Sequence, residues 1–255
     1  MSTSLAPAAG ARIAVVGGCG GIGRALVAAA LEARLDVTVL DLPASLQRHP
    51  PAAPARSIAC DASDAASVRL AFGQLAQSCA GLEGLVNLVG FKLATLPLAE
   101  TPDDVWDDGI GGNLRSAFLL SRAALPLLRQ GTAPSLVHVS SGLGSYGGVG
   151  YGPYAVAKGG INTLVRVLAR ENAPWLRANA VAPGLVETAF LRGGTGRSDE
   201  SEPPSVDAAL YARGVPLDRV AQPQDIVGPI LFLLGPASGY VNGQILHVNG
   251  GAYLP

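Results

Sequence analysis

The alternation of two sequence periods constrains this chain more than any other feature. Short apolar runs rich in β-branched residues, at 12–16, 37–40, 57–60, 85–88, 136–140, 178–181 and 245–248, read as strands buried on both faces, as in a parallel sheet. Segments with helical spacing lie between them, at 22–34, 65–78, 106–129, 154–172 and 223–234. Seven strands alternating with helices predict an α/β fold, a single doubly wound domain spanning residues 1–255 with helices on both faces of the sheet. The ligand crevice of such a sheet lies outside the carboxyl ends of its strands. Chemistry is therefore to be sought just after strands.

The first strand runs straight into Gly17-Gly18-Cys19-Gly20-Gly21-Ile22-Gly23. Gly17 suits a tight turn, Gly21 the approach of backbone to a pyrophosphate, and Gly23 close packing of helix on sheet, with the phosphate at the helix N-terminus. The fold is thus expected to be Rossmann-like, with Gly17, Cys19, Gly21, Ile22 and Gly23 around a dinucleotide. A Walker A loop is excluded, because no Lys-Ser or Lys-Thr follows the glycines. The second strand ends in Asp41, eighteen residues beyond Gly23. A carboxylate there accepts hydrogen bonds from the adenosine ribose hydroxyls and repels the extra phosphate of NADP. No Arg or Lys stands between Gly17 and Gly23 to offset that repulsion, so NAD (NADH) is expected over NADP, with Leu42 beside it. Asp61 and Ala62 after the third strand, and Asn87, Val89 and Gly90 at the fourth, share this sheet edge and are placed near adenine and its ribose. Asp61, Ser63 or Asp64 can equally cap the helix that follows.

Only two lysines, Lys92 and Lys158, stand against sixteen arginines. Lys158 follows Tyr154 by four residues, which puts phenol and ammonium on one helix face. A nearby ammonium favours the phenolate, so the Tyr154 pKa is expected below its ordinary value, making it a general acid/base near neutral pH. Read alone, the pair is equally a packed tyrosine with a snorkelling lysine.

With these parts assembled, the chain resembles the short-chain dehydrogenases/reductases (SDR), in their compact single-domain branch. The resemblance covers essentially the whole length and rests on Gly17-x-x-x-Gly21-Ile22-Gly23, Asp61, Asn87-Leu88-Val89-Gly90, Asn113, Ser141, Tyr154-x-x-x-Lys158, Pro183-Gly184 and Gly239-Tyr240-Val241-Asn242-Gly243-Gln244. It implies a catalytic tetrad of Asn113, Ser141, Tyr154 and Lys158, in an NAD(H)-dependent oxidoreductase that interconverts a secondary alcohol and a ketone. Ser141 would hold the substrate oxygen, and Tyr154 would exchange the hydroxyl proton. Lys158 would stabilise the tyrosinate and bind the nicotinamide ribose, and Asn113 would hold a water leading from Lys158 to solvent. Pro183, Gly184, Val186 and Thr188 would wrap the nicotinamide and diphosphate. Departures from the family pattern are Val16, where a threonine is usual, and Leu88 and Val89, which make the cofactor floor more apolar. Two alternatives stand beside this reading: enoyl-reductase-type reduction of a C=C bond through Tyr151, seven residues before Lys158, and a non-catalytic NAD-binding scaffold.

A variable substrate lid is expected at 189–210, where a glycine-rich and acidic tract suggests a loop that orders on binding. Tyr146, Tyr151 and Phe190, with Ser141, are expected to touch the substrate, and Phe91, Leu93, Leu143 and Val149 are further candidate walls. They favour an apolar or aromatic alcohol or ketone, with no evident anchor for a phosphate. The formal net charge of −1 with 15% charged residues removes the electrostatic case for nucleic acid or anionic membrane. Cys19, Cys60 and Cys79 form no CxxC pair and His49, His138 and His247 no ligand cluster, so no metal and a reducing cytoplasm are expected. Residues 1–12 lack the pattern of a signal peptide, and no apolar run reaches membrane-spanning length. Family resemblance implies a homotetramer through 106–129 and 239–254, and a mean hydropathy of +0.34 fits partly covered apolar surface.

Overall fold

A computed structural model describes residues 4–92, 95–198, 200–201 and 203–254. Its centre is one sheet of seven parallel strands: β1 (Arg12–Val16), β2 (Asp36–Asp41), β3 (Arg56–Ala59), β4 (Gly84–Asn87), β5 (Ser135–Val139), β6 (Arg177–Pro183) and β7 (Ile245–Val248). They lie in the order β3-β2-β1-β4-β5-β6-β7. The chain works outward from β1 to β3 and then returns to start again at β4. This reversal puts the switch point, and the crevice, between β1 and β4.

The central strands are mostly apolar because both faces are covered, whereas β3 at the sheet edge is largely exposed. Along β1, Ile13 and Val15 join Leu26, Val39, Ile226 and Ile230 on one face. Ala14 and Val16 join Leu40, Leu75, Leu85, Leu120 and Leu136 on the other. The first layer is built by α1 (Gly21–Glu32) and α9 (Pro223–Leu234), the second by α3 (Ala65–Ser78) and α5 (Ser116–Leu128). Each fully buried leucine contributes about 1.5–3 kcal/mol relative to exposure. Local signals set the helix starts: Asp64 accepts hydrogen bonds from the Ala66 and Ser67 amides to cap α3, and Gln222 and Asp225 form a capping box on α9.

The expected helix at 106–129 begins earlier and is interrupted. It comprises α4 (Asp103–Ile110), a π turn at Gly111–Arg115, and α5. The widened turn places Asn113 on its inner side, where Nδ2 donates to the Gly109 carbonyl at 3.0 Å. A short helix, α2 (Pro43–Arg48), follows β2 with proline at its first position. It was not expected, since six residues carry too little periodicity. The remaining helices are α6 (Leu143–Tyr146), α7 (Gly152–Glu171) and α8 (Ala208–Ala212). Among the described residues no helix is long and apolar enough to cross a membrane.

Candidate active site

A cleft of about 650 Å³ opens at the carboxyl ends of the strands. Its floor begins at the turn between β1 and α1. Gly17 has φ +82°, and a Cβ there would press on the Leu88 carbonyl carbon at 3.1 Å. A Cβ on Gly23 would collide with the Gly17 carbonyl oxygen and sit 2.6 Å from the Gly18 Cα. Gly21 faces Thr188, whose Cγ2 would lie 2.5 Å from an added Cβ. The turn therefore requires glycine both to bend and to let α1 and the loop after β6 close on it. No side chain caps the N-terminus of α1, so its first amides are free to meet an anion on the cleft wall.

Asp41 ends β2 and reaches back to this turn. Its Oδ2 accepts from the Cys19 amide at 2.8 Å and its Oδ1 from the Leu42 amide at 2.8 Å. The carboxylate still lines the cleft. Its first duty is thus to pin the glycine turn, a role not anticipated from the sequence. Of the expected cofactor contacts, Gly17, Gly21, Ile22, Gly23, Asp41, Leu42, Asp61, Ala62, Val89 and Gly90 line the cleft, as do Pro183, Gly184, Val186 and Thr188. Cys19 and Asn87 do not. The Cys19 side chain is turned into the core between sheet and α1, where burial and the Asp41 carboxylate push its thiol up to about 12. Asn87 is held behind the wall, its Oδ1 accepting from the Val89 amide at 3.0 Å and its Nδ2 meeting His138 Nδ1 at 3.0 Å. Asp64, not Asp61, caps α3, while Asp61 Oδ1 accepts from the Ser63 amide and hydroxyl at 2.9 and 2.6 Å.

The reactive end lies where β5 and α7 meet. Ser141 follows β5, and its Oγ accepts from the Leu143 amide at 3.2 Å. Its hydroxyl stands beside the Tyr154 phenol and favours the ionised form. Tyr154 and Lys158 share one face of α7, with Nζ 5.5 Å from the ring centroid. Ser140 Oγ donates to the Lys158 carbonyl at 3.1 Å, which fixes α7 against the end of β5. The structure corrects one expectation here. Burial pushes the Tyr154 phenol up to about 12, and the neighbouring Ser141 hydroxyl opposes this only in part. Burial also pulls the Lys158 ammonium down to about 8. Desolvation outweighs the neighbouring charge because the ammonium is turned toward the strand and donates to the Val139 carbonyl at 2.9 Å.

Asn113 stands behind this pair, fully buried. Its Oδ1 accepts from the Phe91 amide and its Nδ2 donates to the Phe91 carbonyl, both at 3.2 Å. These contacts brace the chain where it leaves β4. Gly90 lies between Asn113 and Lys158: a Cβ there would sit 2.9 Å from Lys158 Nζ and 3.0 Å from Asn113 Oδ1, so the ammonium would have to shift.

Tyr146, Tyr151, Phe190, Phe91 and Leu143 line the outer part of the cleft, with the Tyr154 and Phe190 rings 6.0 Å apart. Val149 is instead 94% exposed, and Leu93 lies outside the described residues. The expected lid folds over the opening from the turn at Ala189–Arg192, and Gly194, Thr195, Gly196 and Arg197 face the cleft. Wall residues that the sequence reading did not assign include Lys92, Leu191, Arg197 and Tyr211. For Lys92 a signal was present, its rarity. Arg197 sits in a loop whose course no local pattern fixes.

A doubly wound sheet with a glycine turn at its switch point, and a Ser-Tyr-Lys group at the neighbouring strand end, defines a Rossmann-type oxidoreductase. A family model described as Enoyl-(Acyl carrier protein) reductase matches residues 17–253. A 3-oxoacyl-(acyl carrier protein) reductase of Vibrio harveyi is 30% identical over 200 residues, 78% of either chain. The 2-(S)-hydroxypropyl-CoM dehydrogenase 3 of Xanthobacter autotrophicus is 32% identical over 247 residues, 94% of this chain and 95% of its own. A solved short-chain dehydrogenase/reductase of glucose/ribitol dehydrogenase type from Brucella melitensis superposes with a TM-score of 0.85 at 27% identity, over 98% of this chain and 99% of that one. The chain belongs to the short-chain dehydrogenase/reductase family, whose members use a nicotinamide cofactor.

Proposed function

We propose that the protein interconverts a secondary alcohol and a ketone by hydride transfer with NAD(H), using Tyr154 as the general acid/base. The observation that carries this reading is the convergence of Ser141, Tyr154 and Lys158 on one cleft wall, with the Lys158 ammonium 5.5 Å from the Tyr154 ring centroid. The two hydroxyls together offer one donor and one acceptor to a single substrate oxygen. That the relatives named above include a reductase and a dehydrogenase agrees with the reading.

The residues fit a dinucleotide. The glycine turn would take the diphosphate on the uncapped amides of α1, Asp41 would meet the adenosine ribose, and Asp61 and Ala62 the adenine. Pro183, Gly184, Val186 and Thr188 would hold the nicotinamide end against Tyr154. When bound, the nicotinamide supplies or accepts the hydride at C4. In reduction Ser141 orients the carbonyl oxygen and Tyr154 donates its proton there, while Lys158 stabilises the phenolate that results. Asn113 keeps Phe91 and Gly90 in place under Lys158. NAD is favoured over NADP by Asp41, and the nearest arginine, Arg24, is engaged with the Cys19 carbonyl at 3.1 Å.

Tyr154, not Tyr151, has the Lys158 ammonium over its ring and Ser141 beside its phenol, which favours alcohol and ketone chemistry over C=C reduction. The lid at 189–210 would open for exchange of substrate. A homotetramer is supported by exposed apolar side chains on the family's interface regions, Phe118 on one side and Tyr240, Leu246 and Leu254 on the other. Free Cys19, Cys60 and Cys79 agree with a reducing cytoplasm.

The test is absorbance at the NADH band with secondary alcohols and ketones, using NAD(H) and NADP(H), for the natural protein and Tyr154→Phe. Turnover with NAD(H) that disappears in the variant is expected. Preference for NADP(H) would overturn the argument from Asp41, and tight NADH binding without turnover across the panel would favour the scaffold.

A further inference from the structure

Both lysines of this chain line the same cleft. Lys158 has its place beside Tyr154. Lys92 has none in the reaction described above. It leaves β4 two residues after Gly90, and its ammonium lies 5.6 Å from the centroid of the Tyr151 ring. No carboxylate pairs with it among the described residues. Burial holds its pKa below the ordinary lysine value, with no opposing contribution from an acid. A half-buried ammonium facing an aromatic ring gains something from the ring's electrons. Charge-assisted hydrogen bonds from an anion would satisfy it better.

Arg197 stands near it. The lid carries this guanidinium onto the ring of Phe91, the residue before Lys92, at 3.5 Å from the centroid. Asp108 of α4 holds one of its nitrogens at 2.9 Å, leaving other N–H groups of the fork available. Acids line the cleft as well, but at the opposite end: Asp41 and Asp61 are the only described carboxylates on its wall, both beside the glycine turn. Charge is therefore divided along the cleft, with acids beside the glycine turn and, beside Tyr151, the ammonium of Lys92, which no described carboxylate matches.

We propose that the alcohol or ketone taken here carries an anionic group, a carboxylate, sulfonate or phosphate, which pairs with Lys92 while Arg197 closes over it from the lid. The assignment rests on the dehydrogenase reading for its reacting end and deepens it by naming the substrate class. It departs from the expectation of an apolar or aromatic substrate with no evident anchor for a phosphate. The aromatic walls Tyr146, Tyr151 and Phe190 would then grip the segment between the carbonyl and the anion.

The experiment compares matched pairs: 4-oxopentanoate, 5-oxohexanoate and 4-acetylbenzoate, each against its methyl ester. 4-Acetylbenzenesulfonate and 4-acetylphenyl phosphate serve as further arms to distinguish the anion types. Affinity is read by calorimetry on the full-length Tyr154→Phe protein, with and without NADH, so the result does not depend on turnover. We expect at least one anion to bind about tenfold or more tightly than its neutral partner, the gain typical of a charge-assisted hydrogen bond. Lys92→Met should bring that ratio toward one, and Lys92→Arg should restore much of it. No preference for the anion in any pair, which includes binding of neither member, overturns the proposal. So does a preference that survives Lys92→Met unchanged. Failure of the dehydrogenase reading shows separately, as anion-selective binding in a protein that turns over none of the ketones with either cofactor.

Discussion

Replacing His138 by glutamine should flatten the acid sensitivity of this fold by a calculable amount. His138 lies fully buried on β5, between Asn87 and Ser121. The Ser121 hydroxyl already donates to the Ala117 carbonyl at 2.7 Å, so the 2.9 Å contact with His138 Nε2 requires the ring to donate there. Asn87 turns its Oδ1 to the Val89 amide and so presents its Nδ2 to His138 Nδ1, which must accept. The network assigns one neutral tautomer and has no place for a second ring proton. Burial and the charge of Lys158 accordingly lower the His138 pKa from 6.5 to about 3. A depressed folded-state pKa contributes stability that is complete above 6.5 and is lost as pH falls toward 3, because only the unfolded chain takes up the proton in that window. Between pH 7 and pH 5 the loss comes to about 2 kcal/mol. Carboxylates elsewhere add their own acid sensitivity, but they are common to the natural protein and to His138→Gln. The assay is urea unfolding of both at pH 7 and pH 5, at one protein concentration. The natural protein should lose about 2 kcal/mol more than the variant over that interval. Equal losses would show that His138 is protonated in the folded state or that its site admits water, and the tautomer argument would fall.

Two further perturbations address the cofactor end. Asp41→Ala removes the acceptor of the Cys19 amide as well as the partner expected for the ribose, so KM for NADH should rise about tenfold and the margin over NADPH should narrow, since loss of a charge-assisted bond is worth about 1.5–3 kcal/mol; an unchanged cofactor ratio in steady-state kinetics would refute it. Gly23→Ala drives a methyl group into the backbone of Gly17 and Gly18. It should cost about 1–3 kcal/mol in urea unfolding and weaken NADH binding in calorimetry, and a variant with natural affinity would show that the turn yields without moving the phosphate site.

The order of strands and helices is legible in the sequence because a parallel sheet covered on both faces demands uninterrupted apolar runs, and each run here is punctuated by glycine or a capping residue. Gly17, Gly21 and Gly23 are legible for the same reason, since a turn that forbids a Cβ leaves only one residue type. What depends on depth is not legible. Spacing placed Tyr154 and Lys158 on one face, yet the direction of the tyrosine's shift follows from how far the pair is buried and from the Val139 carbonyl that claims the ammonium. Asn113 is visible as a residue, but the π turn that aims its amide at Phe91 leaves no mark in the Gly-Gly dipeptide before it. Lys92 and Arg197 are separated by more than a hundred positions, and only the course of the lid brings them to one wall.

The opposite shifts of Tyr154 and Lys158 bear on how the site handles its proton. At neutral pH a phenol near 12 holds its proton and an ammonium near 8 holds most of its charge. In the proposed reaction Tyr154 therefore begins as an acid already loaded, and giving the proton to a carbonyl oxygen converts a neutral phenol beside an ammonium into a phenolate beside an ammonium. That product is the better electrostatic pair of the two in a buried site, so the charge created by the transfer is met as it forms. The reverse reaction must start by ionising the phenol against its own desolvation. Lys158, drawn back to Val139 and less than fully basic, is the group whose movement toward Tyr154 would lower that cost. Gly90 borders that movement, since a Cβ there would press on the ammonium and on Asn113 Oδ1. In the proposed reaction, glycine at 90 and the bracing of Phe91 by Asn113 thus shape the surroundings of Tyr154 and Lys158, though neither exchanges a proton.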